Sequence, residues 1–176
     1  MLSLILAALF VFGTLPSSQN IAWSSFTSSE GQFSAVMPDE IRSTNTLSTY
    51  TREGRLDTHM VSTTDQNMNE FMVGWTDYPD QKSIEQRGTD KTFNRIRDFY
   101  AMARDLTIFQ EASLTAHGYP ARTYSMKTAK GDRIIKVQIY FVKNRFYQLS
   151  ADTRVADSAD GDKFLNSFKL LPGHLI

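Results

Sequence analysis

The chain has 176 residues, 41% of them hydrophobic and 12% aromatic, with nineteen basic residues against nineteen acidic and no cysteine. A chain of this composition can bury enough apolar area to offset its ordering entropy, which excludes disorder. The missing cysteine excludes disulfides, thiolate nucleophiles, cysteine-ligated zinc and an acylated lipoprotein anchor.

The opening MLSLILAALFVFG is apolar from Leu2 to Gly13 except for Ser3. That run suits a signal-peptide core but falls short of the roughly 20 residues a spanning helix needs. Residues 1–22 are therefore read as a signal peptide. The alternative is an uncleaved N-terminal anchor, because the n-region has no Lys or Arg and PSSQNIA offers no clean small-x-small cleavage site. Residues 23–176 then form a single α+β domain, long enough to bury on the order of 68–70% of the surface of its unfolded chain. Within it, charge is uneven: Trp23 to Asp80 carries nine acidic and three basic residues, and the remainder ten acidic and sixteen basic. In a compact domain such halves interleave, so the contrast largely cancels in space.

Ile21 to Thr27 and Gln32 to Met37 have strand composition and flank Glu30-Gly31, which reads as an opening β-hairpin ended by Pro38. Asn45 to Arg52 and Arg55 to Thr64 follow as a second strand pair around a turn at Glu53-Gly54. Glu70 to Asp77 places Phe71, Val73 and Trp75 on one face, the period of a half-buried strand. The period then changes. From Ser83 to Arg104 there is no proline, and Phe93, Ile96, Tyr100 and Ala103 form one apolar helical stripe. Gly88 costs about 1 kcal/mol inside a helix, so regular helix is expected to begin after it, with Thr89 as N-cap. Leu106 to Ala116, Tyr119 to Ala129, Arg133 to Val142 and Arg145 to Thr153 are four strands joined at His117-Gly118, Lys130-Gly131 and Lys143-Asn144. Connections this short dictate an antiparallel meander, since parallel neighbours need crossovers of a dozen or more residues. Asp157 to Leu171 closes the chain as a helix capped by Asp157, with Phe164, Leu165, Phe168 and Leu171 as its stripe.

The expected architecture is α+β: opening hairpin, strands, long helix, four-stranded meander and C-terminal helix, an antiparallel β-sheet packed with helices. The segments WSSFTSSEGQFSAVMP, HGYPAR, YFVKNRFYQLSA and DKFLNSFKLL, in this order and spacing, resemble bacterial exported domains of the PsbP-like and DcrB-like α/β sandwich group. The resemblance covers nearly all of the chain after Ala22. It implies a binding or accessory module and carries no catalytic signature, and fold does not by itself fix function.

Two-residue turns at Lys130-Gly131 and Lys143-Asn144 set a register in which Tyr140 faces Tyr147, Gln138 faces Leu149 and Thr123, and Lys136 faces Ser125 and Ala151. The opposite face collects Tyr124, Met126, Val137, Ile139, Phe141 and Phe146 and is core. The first face, with Lys136, Gln138, Tyr140 and Tyr147 and with Arg145 beside them, offers aromatic walls and polar groups suited to a ligand or peptide. A helix or loop covering it is the competing expectation. The same stretch is basic, with Arg122, Lys127, Lys130, Arg133, Lys136, Lys143 and Arg145 against Asp132. In an exported protein that points to lipid headgroups, an acidic protein or a solvated face, and not to nucleic acid.

No metal or cofactor is expected. DSADGD lacks the calcium-loop spacing and its bidentate Glu, and reads as a helix start. His59, His117 and His174 lie in different elements and form no ligand pair. There is no G-x-S-x-G elbow, phosphate-cradling glycine loop or S-x-x-K. The expected function is a non-enzymatic exported module of the cell envelope, periplasmic or extracellular, acting on an envelope protein or membrane surface. The alternative is a small-ligand carrier or sensor using the Tyr140/Tyr147 face.

Overall fold

Odd and even positions of the strands face different partners in the computed structural model, which describes residues 22–38, 42–51, 54–79 and 88–172. Ten strands are present among these residues: β1 (Trp23–Ser28), β2 (Phe33–Pro38), β3 (Arg42–Thr51), β4 (Gly54–Thr64), β5 (Glu70–Asp77), β6 (Leu106–Ala116), β7 (Tyr119–Thr128), β8 (Arg133–Val142), β9 (Arg145–Arg154) and β10 (Lys169–Leu170). Helix α1 spans Thr89–Ala103 and helix α2 spans Ser158–Ser167. Residues 1–21, which carry the signal-peptide or anchor expectation, and residues 83–87 of the expected helix lie outside the described residues.

Seven strands form one antiparallel sheet in the order β3-β4-β5-β9-β8-β7-β6. The four-stranded meander is therefore as the short turns require, and β5 joins it along β9 with Trp75 opposite Tyr147. Tyr140 pairs with Tyr147, Gln138 with Leu149 and Thr123, and Lys136 with Ala151 and Ser125, the register read from the turns. His117 and Gly118 both have positive φ, the geometry that makes a two-residue hairpin match strand twist. Between β3 and β4 the register pairs Thr51 with Gly54, so Gly54 belongs to the strand, and Glu53 of the expected turn lies outside the described residues.

The hairpin β1-β2 builds a second, smaller sheet in the order β1-β2-β10. Its turn depends on Gly31, where a Cβ would sit 2.5 Å from the Phe33 ring, and whose amide donates to Ser28 Oγ at 2.8 Å. The C-terminal helix is shorter than expected. It stops at Ser167, whose hydroxyl donates to Phe164 O at 2.6 Å and accepts from the Val36 amide at 2.8 Å. Phe168 is extended, and the next residues form β10, pairing Lys169 with Ser34 and Leu170 with Phe33. At the other end of the helix Asp157 occupies the N-cap position without a capping bond, because its carboxylate accepts from Asn69 and Arg154 instead. Helix α1 likewise starts one position earlier in role than expected: Gly88 is the N-cap and Thr89 the first helical residue.

Each face of the large sheet carries its own core. On one side α2 and the small sheet cover an aromatic cluster built from Phe33, Phe71, Trp75, Tyr140, Tyr147, Phe164 and Phe168. Phe168 is its hub, with ring centroids 5.3 Å from Phe33, 5.3 Å from Tyr140 and 5.6 Å from Tyr147. On the other side α1 covers Tyr124, Met126, Ile135, Val137, Ile139 and Phe141 through Phe93 and Ile96.

Candidate functional site

The structure closes the face that carries Lys136, Gln138, Tyr140 and Tyr147. Helix α2 lies flat across it, with Gly161 so close that a Cβ there would meet Ala151 at 3.4 Å and Lys136 at 3.5 Å. Tyr140 is 1% exposed and Tyr147 0%, and the Tyr147 hydroxyl donates to Gly31 O at 2.7 Å, tying the sheet to the opening hairpin. Burial raises both phenols, Tyr147 to about 12, while Tyr140 Oη has no hydrogen-bond partner among the described residues. Lys136 reaches the rim, where it meets Asp162 at 2.6 Å and Ser158 O at 3.1 Å. Gln138 is half-buried between these residues. Arg145 clamps Asp77 through two bonds of 2.5 and 2.7 Å and donates to Glu30 O at 2.9 Å. The five residues are thus brought together as cohesion between layers: the ligand surface expected of them is occupied by the chain's own helix. Two more residues of the basic stretch are engaged in the same way, Arg133 by Asp152 and Arg122 by Asp90 and Glu111, while Lys127, Lys130 and Lys143 are exposed.

The histidines stay apart. His59 stacks on Trp75 at 5.2 Å, and both Thr46 Oγ1 (3.2 Å) and Glu30 Oε1 (3.5 Å) approach its Nδ1. A relay needs one ring nitrogen for the nucleophile and the other for the orienting acid, so this surface trio does not have that geometry. His117 packs at the edge of Phe168 and Tyr140. His174 lies outside the described residues. Among those residues no group of His, Asp and Glu is placed to hold a metal ion.

An opening lies on the other face. Helix α1 is held over β6 and β7 by Arg122, whose guanidinium reaches Asp90 at 2.6 Å, Asn94 at 2.6 Å and Glu111 at 3.3 Å. Pinned on that side, α1 leaves β3, β4 and β5 uncovered and a groove of about 580 Å³ beside it. This size is typical of small-molecule sites. Leu47, Leu56, Met60, Met72 and Phe146 supply the sheet side of the groove, and Ile96, Phe99 and Tyr100 the helix side. Phe99 is 64% exposed and Leu47 58%, so apolar surface is left facing water at its lips. Gly74 keeps the floor low: a Cβ there would rest in ordinary contact, 3.6 Å from Met60 Cγ and 3.8 Å from Gln148 O, and any larger side chain would project from the floor.

Polar groups inside the groove satisfy one another. Thr58 and Thr76 share a 2.7 Å hydroxyl bond across the β4–β5 pair, and Gln148 Nε2 donates to Tyr100 Oη at 2.5 Å. Burial raises the Tyr100 phenol, so it stays a neutral hydroxyl. An apolar occupant therefore meets several polar groups that already have protein partners, which reduces the main penalty in filling such a site.

In the sequence none of these residues pointed to a groove: Ile96 and Tyr100 read as a helical stripe and Phe146 as core. The available signals were the small residues Gly74 and Thr76 alternating with the aromatic positions of β5, and a helical stripe that continues past Tyr100 with apolar Phe99 and Met102 beside it.

The layered arrangement, an antiparallel seven-stranded sheet with one helix on each face and an opening hairpin returned to by the chain's end, is a PsbP-like α+β fold. A similar solved structure is the solution structure of cyanobacterial PsbP (CyanoP) from Synechocystis sp. PCC 6803, with a TM-score of 0.59 over 90% of this chain and 98% of that one. At 10% identity the likeness is one of fold. No protein-family model matches the chain, and no curated protein matches it.

Proposed function

We propose that the protein is a non-enzymatic accessory module, exported from the cytoplasm, that binds a small apolar ligand in the groove between α1 and strands β3, β4 and β5. The observation that carries this reading is the groove itself: about 580 Å³, apolar on both walls, with its interior polar groups already paired. Export is supported by the apolar run Leu2 to Gly13, and accessory character by the fold shared with cyanobacterial PsbP.

The test is fluorescence of the neutral probe N-phenylnaphthylamine. The expected result is saturable enhancement with the wild-type protein and its loss in Gly74→Leu, whose side chain fills the floor. Thermal melts establish that Gly74→Leu folds, and Phe99→Ser, on the exposed lip, serves as a second variant that weakens binding without a folding risk. Absence of saturable enhancement in the wild type, or enhancement that survives both substitutions, would refute the assignment.

A further inference from the structure

Arg95 is the charged side chain lining the groove among the described residues. It lies on α1 one turn before Phe99, on the helix flank that borders the opening. Its neighbour Arg97 is engaged by Asp98 at 2.8 Å and by Glu111 at 3.0 Å. Arg95 has no such partner among the described residues and is exposed to water. Two independent features therefore coincide: an interior that favours apolar matter because polar groups within it are paired with each other, and a rim that presents one guanidinium with no acidic partner among the described residues.

Resting on the groove reading above, we infer that the ligand is a monoanionic amphiphile, a carboxylate with an unbranched hydrocarbon tail, whose tail lies over β4 and β5 and whose head group meets Arg95. The floor runs across four neighbouring strands from β3 to β9, three spacings of about 4.8 Å, which accommodates a medium-length chain. A guanidinium is the favoured partner of a carboxylate because its planar fork donates two parallel bonds. The tail supplies most of the affinity and the head group the selectivity, since an exposed charge pair adds little compared with buried hydrocarbon. The occupant is a free amphiphile and not a bilayer lipid, because a groove that pairs its interior polar groups is built to enclose a chain drawn out of water.

Displacement of N-phenylnaphthylamine by decanoate, decanol and decyltrimethylammonium tests this on the full domain. Decanoate is expected to bind about 1.5- to fivefold more tightly than decanol and more tightly still than the cation. The excess of decanoate over decanol is expected to vanish in Arg95→Gln, with decanol affinity unchanged, and to shrink in high salt. Equal binding of decanoate and decanol, or an excess that persists in Arg95→Gln, overturns the head-group assignment and leaves the groove reading standing. Failure of the probe itself to bind defeats the groove reading instead. Co-sedimentation with anionic phospholipid vesicles without decanoate displacement overturns the free-amphiphile assignment.

Discussion

Both faces of the large sheet carry an aromatic cluster, with seven buried aromatic residues on one and four on the other, and they differ in how completely they are covered. One is sealed by α2 and the small sheet, so that Tyr140, Tyr147, Phe33 and Phe168 contribute cohesion. The other is covered by α1 over β6 to β8, with Tyr100 reaching Gln148 on β9, and Phe99, Leu47 and Met72 border an opening. Aromatic content along a strand thus does not separate core from binding surface. What separates them is the lateral position of a helix, and for α1 that position is set by Arg122 and its partners.

The strongest way to break this contrast is to cut one aromatic side chain from each face. Phe33→Ala or Phe168→Ala is expected to cost about 3–5 kcal/mol, because a filled cluster cannot collapse around the void. Phe99→Ala is expected to stay within about 0.5 kcal/mol, its ring being mostly in water already. Urea unfolding measures both, and a comparable loss at Phe99 would mean that the groove is closed in solution. Next in size is Arg122→Ala, which removes the pin that holds α1 to β6 and β7. A loss of about 2 kcal/mol is expected, with faster amide exchange confined to α1, and uniform exchange across the molecule would show that the pin is not local.

Each face also buries a tyrosine whose phenol is pushed up to about 12 by burial, Tyr124 under α1 and Tyr147 under the small sheet. Their folded pKa values exceed the unfolded value of about 10. The stability they contribute is therefore fully present below pH 10, and declines as pH rises from about 10 through about 12, where the unfolded chain has released protons that the folded one still holds. Chemical denaturation across that window, with Tyr147→Phe reducing the slope, checks the sign. A small effect is also expected at the edge of the sealed face. Arg145→Lys replaces a two-bond clamp on Asp77 by a point charge and should cost less than about 1 kcal/mol, readable as a small shift in melting temperature.

The meander and its register were legible because they depend on local information. A turn at His117-Gly118 or Lys143-Asn144 fixes which residues face each other, and alternation in Phe71, Val73 and Trp75 fixes the side of the sheet. That a helix or loop covers the Tyr140/Tyr147 face was one of the two expectations, but which element does so was not legible, since it depends on where α2 lands relative to strands far away in the chain. The end of α2 was misread for a related reason. Phe168 and Leu171 continue the helical spacing of Phe164, yet Phe168 reaches the core from an extended backbone because Ser167 breaks the helix with its own hydroxyl and β2 offers a ladder. The groove was invisible because the pairing of Arg122 with Asp90, Asn94 and Glu111 links three elements, and no spacing along the chain announces it.

The pairing of β10 with β2 bears on how the molecule is made. Leu170 must find Phe33, and Ser167 must find Val36, so residues of the hairpin wait for partners more than a hundred positions later in the chain. Until those residues arrive, the aromatic cluster around Phe168 lacks its centre and β2 lacks its second neighbour. Contacts this distant in sequence form slowly, so the small sheet is among the last parts of the molecule to close.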